Sequence, residues 1–329
     1  MTDKTHIDAP LHVRGASEYV DDVAPPAGML HAAVVGSPVA LGALVAVHAE
    51  AALALPGVVA VLTAADIPGN NQIGPIIEDE LLLAVGEVHY IGQPVAIVLA
   101  EDQALARKAA TLVRVETIAR RPIVDPREAF AAGQLIAPPR TFAIGDVDAA
   151  WAECDVIVEG RADLAGQEHL YLETQRARVT PQEGGRLNVA TSTQSPYAAQ
   201  KMCARVLGLE AHMIEVDVRR LGGGFGGKED QATPWACMAA LGAWYTERPV
   251  ELVLSRLDDL RMTGKRHPYS ADFKLGLKQD GTFVAYEAKF YQNSGAVADL
   301  STAVLERTLF HATNCYKMPH ARIFAACCK

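Results

Sequence analysis

Leu221-Gly222-Gly223-Gly224-Phe225-Gly226-Gly227-Lys228-Glu229-Asp230 joins Met213 to Val218, an alternating run that predicts a strand, to Gln231 to Tyr245, which predicts a helix. Five glycines fall in six positions. Glycine gives up the most backbone freedom on folding, so such a run is retained where main chain needs φ > 0 or approaches something closely. Free amides at a turn entering a helix N-terminus favour negative charge. The stretch therefore predicts a loop that carries an anionic ligand, against the plainer reading of a tight bend.

Two nucleotide signatures fit the letters and fail on context. Gly222, Gly224 and Gly227 spell G-x-G-x-x-G, but the acid that should close the next strand about 20 residues on is missing. That strand, Val250 to Leu254, ends in Ser255, and Glu247 precedes it. Gly222 through Lys228 also spell G-x-x-x-x-G-K, yet Glu229 stands where a phosphate loop places its Mg²⁺-binding hydroxyl. A carboxylate there repels a triphosphate.

Four further stretches occur in order around the loop. They are Gly166-Gln167-Glu168-His169-Leu170-Tyr171-Leu172-Glu173, Thr193-Gln194-Ser195-Pro196, Thr263-Gly264-Lys265-Arg266-His267-Pro268 and Leu309-Phe310-His311-Ala312-Thr313-Asn314-Cys315-Tyr316. With Arg220-Leu221 and the glycine run, this set resembles the molybdopterin-binding subunit of the molybdenum hydroxylases, in their xanthine dehydrogenase branch. The resemblance covers nearly the whole chain.

Half of the 329 residues are hydrophobic, enough for substantial cores and two domains. A net charge of −9 leaves no basic footprint for nucleic acid or an anionic membrane. The N-terminus has no basic stretch followed by an apolar one, and no run of about 18 apolar residues occurs, which reads as cytoplasmic. Cys154, Cys203, Cys237, Cys315, Cys327 and Cys328 form no C-x-x-C pair, so neither a zinc site nor a disulfide framework is indicated.

The patterning predicts an α+β chain. Leu30 to Val35, Val58 to Leu62 and Val95 to Ala100 read as strands, with Pro56-Gly57 as a turn. Glu101 to Leu112 reads as a helix, and Asp125-Pro126 as a helix start. Pro138-Pro139 predicts a linker over 133–141, because consecutive prolines interrupt both helix and ladder. Gly145 to Trp151 reads as a short capped helix. Strands follow at Val156 to Ala162, Arg176 to Thr180 and Leu187 to Thr191, and Pro196 to Leu207 reads as a helix stopped by Gly208. Lys278 to Thr282 is a hairpin signal. The resemblance implies an α/β hammerhead domain over 1–132, with landmarks at Tyr19-Val20-Asp21-Asp22 and Gly92-Gln93-Pro94-Val95. It implies the first, incomplete part of a mixed α+β molybdopterin cofactor-binding domain over 142–329. His89 near Gln93 reads as a structural residue rather than a ligand.

The implied chemistry is water-dependent hydroxylation of an electron-poor carbon, with purines (hypoxanthine or xanthine to urate) as substrates and a molybdopterin-held molybdenum as the reactive centre. Gln194 matches the glutamine that hydrogen-bonds an oxo ligand of the metal, a task an amide NH₂ performs without adding charge. Phe225 and Gly226 match the residues that pass beside the metal, and the amides of Gly224, Phe225, Gly226 and Gly227 are expected to donate to the cofactor's anionic groups. No side chain of this chain is expected to ligate the metal. Glu229 matches the carboxylate that binds the purine, where relatives acting on aldehydes tend to carry an apolar residue. Burial beside an anionic centre should raise its pKa. Gln167, Glu168, His169 and Glu173 read as a hydrogen-bonded structural cluster in a strand, and Lys228 as structural or charge-offsetting.

The resemblance also implies a 2Fe–2S cluster and FAD on a partner subunit, in a heterodimer assembled into a larger oligomer. Its Phe-Arg-Gly-Phe-Gly motif and C-terminal catalytic glutamate are not in this sequence, which reads as a fragment or split subunit, inactive by itself. An aldehyde or N-heterocycle hydroxylase and a noncatalytic assembly module remain open beside the purine reading.

Overall fold

The computed structural model describes residues 6–329. They form two compact units interleaved in sequence, one from residues up to 73 with 82–118 and 169–263, the other from 74–81, 119–168 and 264–329.

The first unit is built on a seven-stranded mixed sheet in the order Ile214–Asp217, Arg186–Thr191, Arg176–Gln182, Val250–Val253, Leu30–Gly36, Pro94–Ala100, Val58–Thr63. Strands from the first hundred residues and from 176–253 thus share one ladder, with Val250–Val253 parallel to Leu30–Gly36. Pro94–Ala100 is buried at every position, as expected for an apolar run covered on both faces. Helix Pro196–Leu207 begins on proline and ends at Gly208, whose φ of 67° supplies the left-handed stop. Helix Thr233–Thr246 buries Trp235, Met238 and Leu241 in the same core. It is apolar all round and buried from Thr233 to Ala243, while Trp244 and Tyr245 in its last turn are exposed.

A smaller sheet of Glu87–Val88, Gly42–His48 and Arg114–Ala119 completes this unit. The sequence reading has no element between Val35 and Val58, where the chain forms Gly42–His48 and the short helix Glu50–Leu53. His89 donates its backbone N–H to the buried Gln93 side chain at 2.7 Å.

The second unit centres on a five-stranded sheet, ordered Leu135–Ile144, His320–Cys328, Phe283–Asn293, Tyr269–Leu277, Val156–Leu164. The hairpin signal holds: Tyr269–Leu277 and Phe283–Asn293 pair antiparallel across residues 278–282. Leu305 and Leu309 of helix Ser301–His311 pack on Ala288, Ile323 and Ala325. Pro138-Pro139 does not make a linker segment. It lies in the edge strand Leu135–Ile144, whose register slips between the pairs Arg140 with Ala325 and Ala137 with Cys327. Proline is tolerated there because an edge strand can turn its missing donor outward or into a bulge. The expected caps are present: Asp125 accepts from the Arg127 and Glu128 amides, and Asp146 from Ala149.

Candidate functional site

The glycine run lies in the first unit between Ile214–Asp217 and Thr233–Thr246. Two features separate it from a dinucleotide loop. The flanking strands are not neighbours, since Arg186–Thr191 and Arg176–Gln182 lie between Ile214–Asp217 and Val250–Val253. The helix also starts late, at Thr233 behind Ala232, so the glycines do not sit on a helix N-terminus. That corrects the expected helix-end anion site. Residues 228–232 intervene, and the Thr233 N–H donates to the Asp230 carbonyl.

The glycines have two different reasons. A Cβ on Gly222 would stand 2.4 Å from Glu173 Cβ, on Gly224 2.5 Å from Gln194 Oε1, and on Gly227 2.6 Å from His169 Cγ. These three press the loop onto the protein's own side chains. Gly226 differs, with φ of +90° and its nearest prospective neighbour, Glu229 Oε1, at 3.9 Å. Its missing side chain leaves open space, the property that close approach to a ligand needs. Phe225 has φ of 56°, a left-handed conformation that costs a non-glycine residue about 1–2 kcal/mol. Its ring is 76% exposed.

Gln194 lies against this loop. Its backbone N–H donates to the Lys228 carbonyl at 2.7 Å. Its Oε1 accepts from the Gly226 amide at 3.0 Å and the Lys228 amide at 3.2 Å. With the carbonyl oxygen fixed by two donors, the exposed NH₂ is left to donate outward. Of the four amides expected to face an anion, Gly226 donates to Gln194 and Gly227 to the Gly224 carbonyl at 2.8 Å. The amides of Gly224 and Phe225 make no hydrogen bond among the described residues. The donor set that remains is two backbone amides and one neutral side-chain amide beside an exposed aromatic ring. That set fits an anionic, partly apolar group such as a pterin dithiolene.

Glu229 is exposed, not buried as expected. The pKa of its neighbour Asp230 is raised by burial and then by the charge of Glu229.

Beneath the loop lies a buried polar network. Lys228, with no exposed surface, donates from Nζ to the Glu173 carbonyl at 2.7 Å and Ser192 Oγ at 2.8 Å, and lies 3.5 Å from Glu173 Oε2. Glu173 Oε2 also accepts from Ser192 Oγ at 2.6 Å and from the Gly222 amide at 2.8 Å. Burial brings the Lys228 ammonium down to about 8, partly offset by Glu173. Gln175 donates from Nε2 to the Gly227 carbonyl at 2.9 Å and to Tyr171 Oη at 3.0 Å, and Tyr171 in turn donates to Asp259 at 2.7 Å. Both loop ends are therefore held by side chains from 171–175.

Residues 165–175 form no regular strand. Leu170 takes φ of 49°, and only Gln167 makes an isolated bridge, to Arg266. The strand expected to carry Gln167, Glu168, His169 and Glu173 is therefore not formed, although Glu168 and Glu173 each hold an ion pair. In the second unit Glu168 pairs with Lys265 at 2.8 Å, and Arg266 donates to Gln167 Oε1 at 2.7 Å. His267 Nε2 lies 2.8 Å from Ser301 Oγ, and burial lowers its pKa. The sequence reading missed Ser192, Gln175 and Asp259. Each acts through partners 36 to 88 residues away, and no local pattern announces such pairs.

Comparison with known proteins shows the family. Residues 131–329 match the molybdopterin cofactor-binding domain model, and 14–119 match the a/b hammerhead domain of aldehyde oxidase and xanthine dehydrogenase. The chain belongs to the molybdopterin cofactor-binding family of the molybdenum hydroxylases. Its relatives include xanthine dehydrogenases, that of Oryza sativa subsp. japonica at 37% identity over 98% of this chain and that of Drosophila subobscura at 38% over 99%. The chain spans about a quarter of these relatives' length, 24% in each case. Among solved structures, the aldehyde oxidoreductase from Desulfovibrio gigas superposes with a TM-score of 0.90 at 26% identity, covering 97% of this chain and 37% of that one. Quinoline 2-oxidoreductase from Pseudomonas putida 86 does so at 0.85 and 25%, covering 98% and 43%. Among the described residues no helix is long and apolar enough to cross a membrane.

Proposed function

We propose that this chain supplies part of the molybdopterin site of a xanthine dehydrogenase that hydroxylates purines, working with 2Fe–2S and FAD groups on a partner subunit in the cytoplasm. In this reading residues 1–132 are the hammerhead domain and 142–329 the first part of the cofactor domain. The observation that carries it is the outward NH₂ of Gln194, fixed by the Gly226 and Lys228 amides beside the open face of Gly226.

When bound, the cofactor supplies two-electron chemistry at molybdenum, with water as the oxygen source. The chain's own residues do the positioning. Gln194 donates a hydrogen bond without adding charge, which suits a centre that is already anionic. Gly226 allows close approach, while the amides of Gly224 and Phe225 offer donors. The Phe225 ring, held out by a strained backbone, gives an apolar wall that excludes water. Strain of this kind is retained at sites that use it.

Glu229 favours a purine over an aldehyde. At the open end of the loop its carboxylate accepts a hydrogen bond from a heterocycle N–H, a group aldehydes lack. A site built to pair such a donor discriminates strongly against analogues without it. The experiment is Glu229→Val in the complete enzyme. The reading predicts loss of purine turnover with aldehyde turnover kept; equal loss of both would falsify the role of Glu229.

A further inference from the structure

The geometry points to Lys228 as a positioning residue for Gln194: its buried ammonium, with Glu173 as counter-charge, fixes the main chain that holds the Gln194 amide. Lys228 contributes at both levels. Its own backbone N–H donates to Gln194 Oε1 and its carbonyl accepts from the Gln194 N–H and, at 3.2 Å, from Thr193 Oγ1. Its side chain runs inward and spends its donors on the Glu173 carbonyl and Ser192 Oγ. Ser192 is two residues from Gln194, so one ammonium ties both strands of the contact. Glu173 Oε2 closes the circuit by accepting from Ser192 and from Gly222 at the far end of the loop. The ammonium also lies 4.5 Å from the centre of the Tyr171 ring.

An apolar side chain would fill the same space without placing a charge in the interior, since burying an ammonium is costly unless it is paired. Retaining the ammonium under a loop with an exposed strained aromatic indicates a geometric duty. Charge state is the handle on it. The charged groups acting on Lys228 are Glu173 and Asp259, which favour the ammonium, and Arg176, which opposes it. Loss of the proton leaves two N–H donors and a lone pair facing three oxygens, so the contacts to Glu173 and Ser192 must readjust, and Gln194 registers it through the Lys228 main chain and Ser192 two residues away.

The functional consequence rests on reading Gln194 as the cofactor-facing amide, whereas the coupling itself is tested without cofactor. The experiment follows the Gln194 side-chain NH₂ resonances of the glutamine-labelled 329-residue chain as a function of pH. Wild type should show a step with its midpoint near pH 8. Lys228→Met should abolish the step. Ser192→Ala removes one acceptor and keeps the ammonium, so it should move the midpoint to lower pH. No step in wild type, or one that survives in Lys228→Met, overturns the inference. Should Lys228→Met not fold, an unmoved midpoint in Ser192→Ala does so alone. A coupled Gln194 in a protein that never carries molybdenum would keep this inference and reject the cofactor reading.

Discussion

Gln194 Oε1 lies 3.0 Å from the Gly226 amide, a bond between residues 32 positions apart that seats the glycine loop on the segment after Arg186–Thr191. The same oxygen holds the Lys228 amide at 3.2 Å. One neutral side chain thus orders the loop and turns its own donor outward, which joins local structure to the proposed chemistry.

Gln194→Ala should therefore weaken the protein as well as the site. The Gly226 donor loses its acceptor in an exposed setting where water replaces it in part, and the Lys228 donor loses it in a part-buried one, so the expected cost is about 1–3 kcal/mol. Urea denaturation measures this, and an unchanged midpoint would show that the bonds contribute nothing.

The two kinds of glycine separate by mutation. Gly227→Ala meets His169 and Tyr171 within 3.0 Å, and overpacking of this kind costs about 1–3 kcal/mol. Gly226→Ala meets no atom closer than 3.9 Å, so it should lose only the roughly 1–2 kcal/mol of unfavourable backbone. Thermal denaturation should rank Gly227→Ala as the less stable variant, and cofactor content should fall in Gly226→Ala beyond what its stability explains.

Lys228 gives a pH signature whose sign follows from linkage. Burial lowers its folded pKa to about 8 from the ordinary 10.5, so between these values the unfolded chain binds more protons. The penalty of the buried ammonium is full below pH 8 and is relieved as pH rises toward 10.5, by on the order of 2–3 kcal/mol. The difference in unfolding free energy between wild type and Lys228→Met, measured at pH 8 and pH 10, should shift toward wild type at the higher pH. A constant difference would contradict a buried charged lysine.

His267 works at the acid end. Its pKa is lowered by burial, so stability from keeping it neutral is present above the unfolded value and is lost as pH falls below about 6.5. His267→Gln, which preserves a polar partner for Ser301, should flatten the stability profile there. Identical acid profiles in variant and wild type would sink the assignment.

Much of the fold was legible because its signals are local. Pro196 and Gly208 bound their helix, Asp125 and Asp146 cap theirs, and the 278–282 turn sets its hairpin. What escaped depends on context. Pro138-Pro139 reads as a break until the strand is known to lie at an edge, and 165–175 alternates like a strand but turns at Leu170. In the site, the motif named Gln194 and Phe225-Gly226 together, and the structure joins Gln194 to Gly226 by a hydrogen bond. The burial expected of Glu229 was not met, because exposure is decided by what covers the loop and not by neighbours in sequence. The Lys228, Glu173 and Ser192 circuit joins residues up to 55 apart, which no local pattern encodes.

The most direct measurement of the central claim is molybdenum content, by elemental mass spectrometry, of the protein purified from its own host, for wild type and for Gly226→Val. The account predicts stoichiometric molybdenum in wild type and its loss in a variant that keeps the wild-type circular dichroism. Wild type without molybdenum, or a folded Gly226→Val that retains it in full, would contradict a cofactor site on this loop.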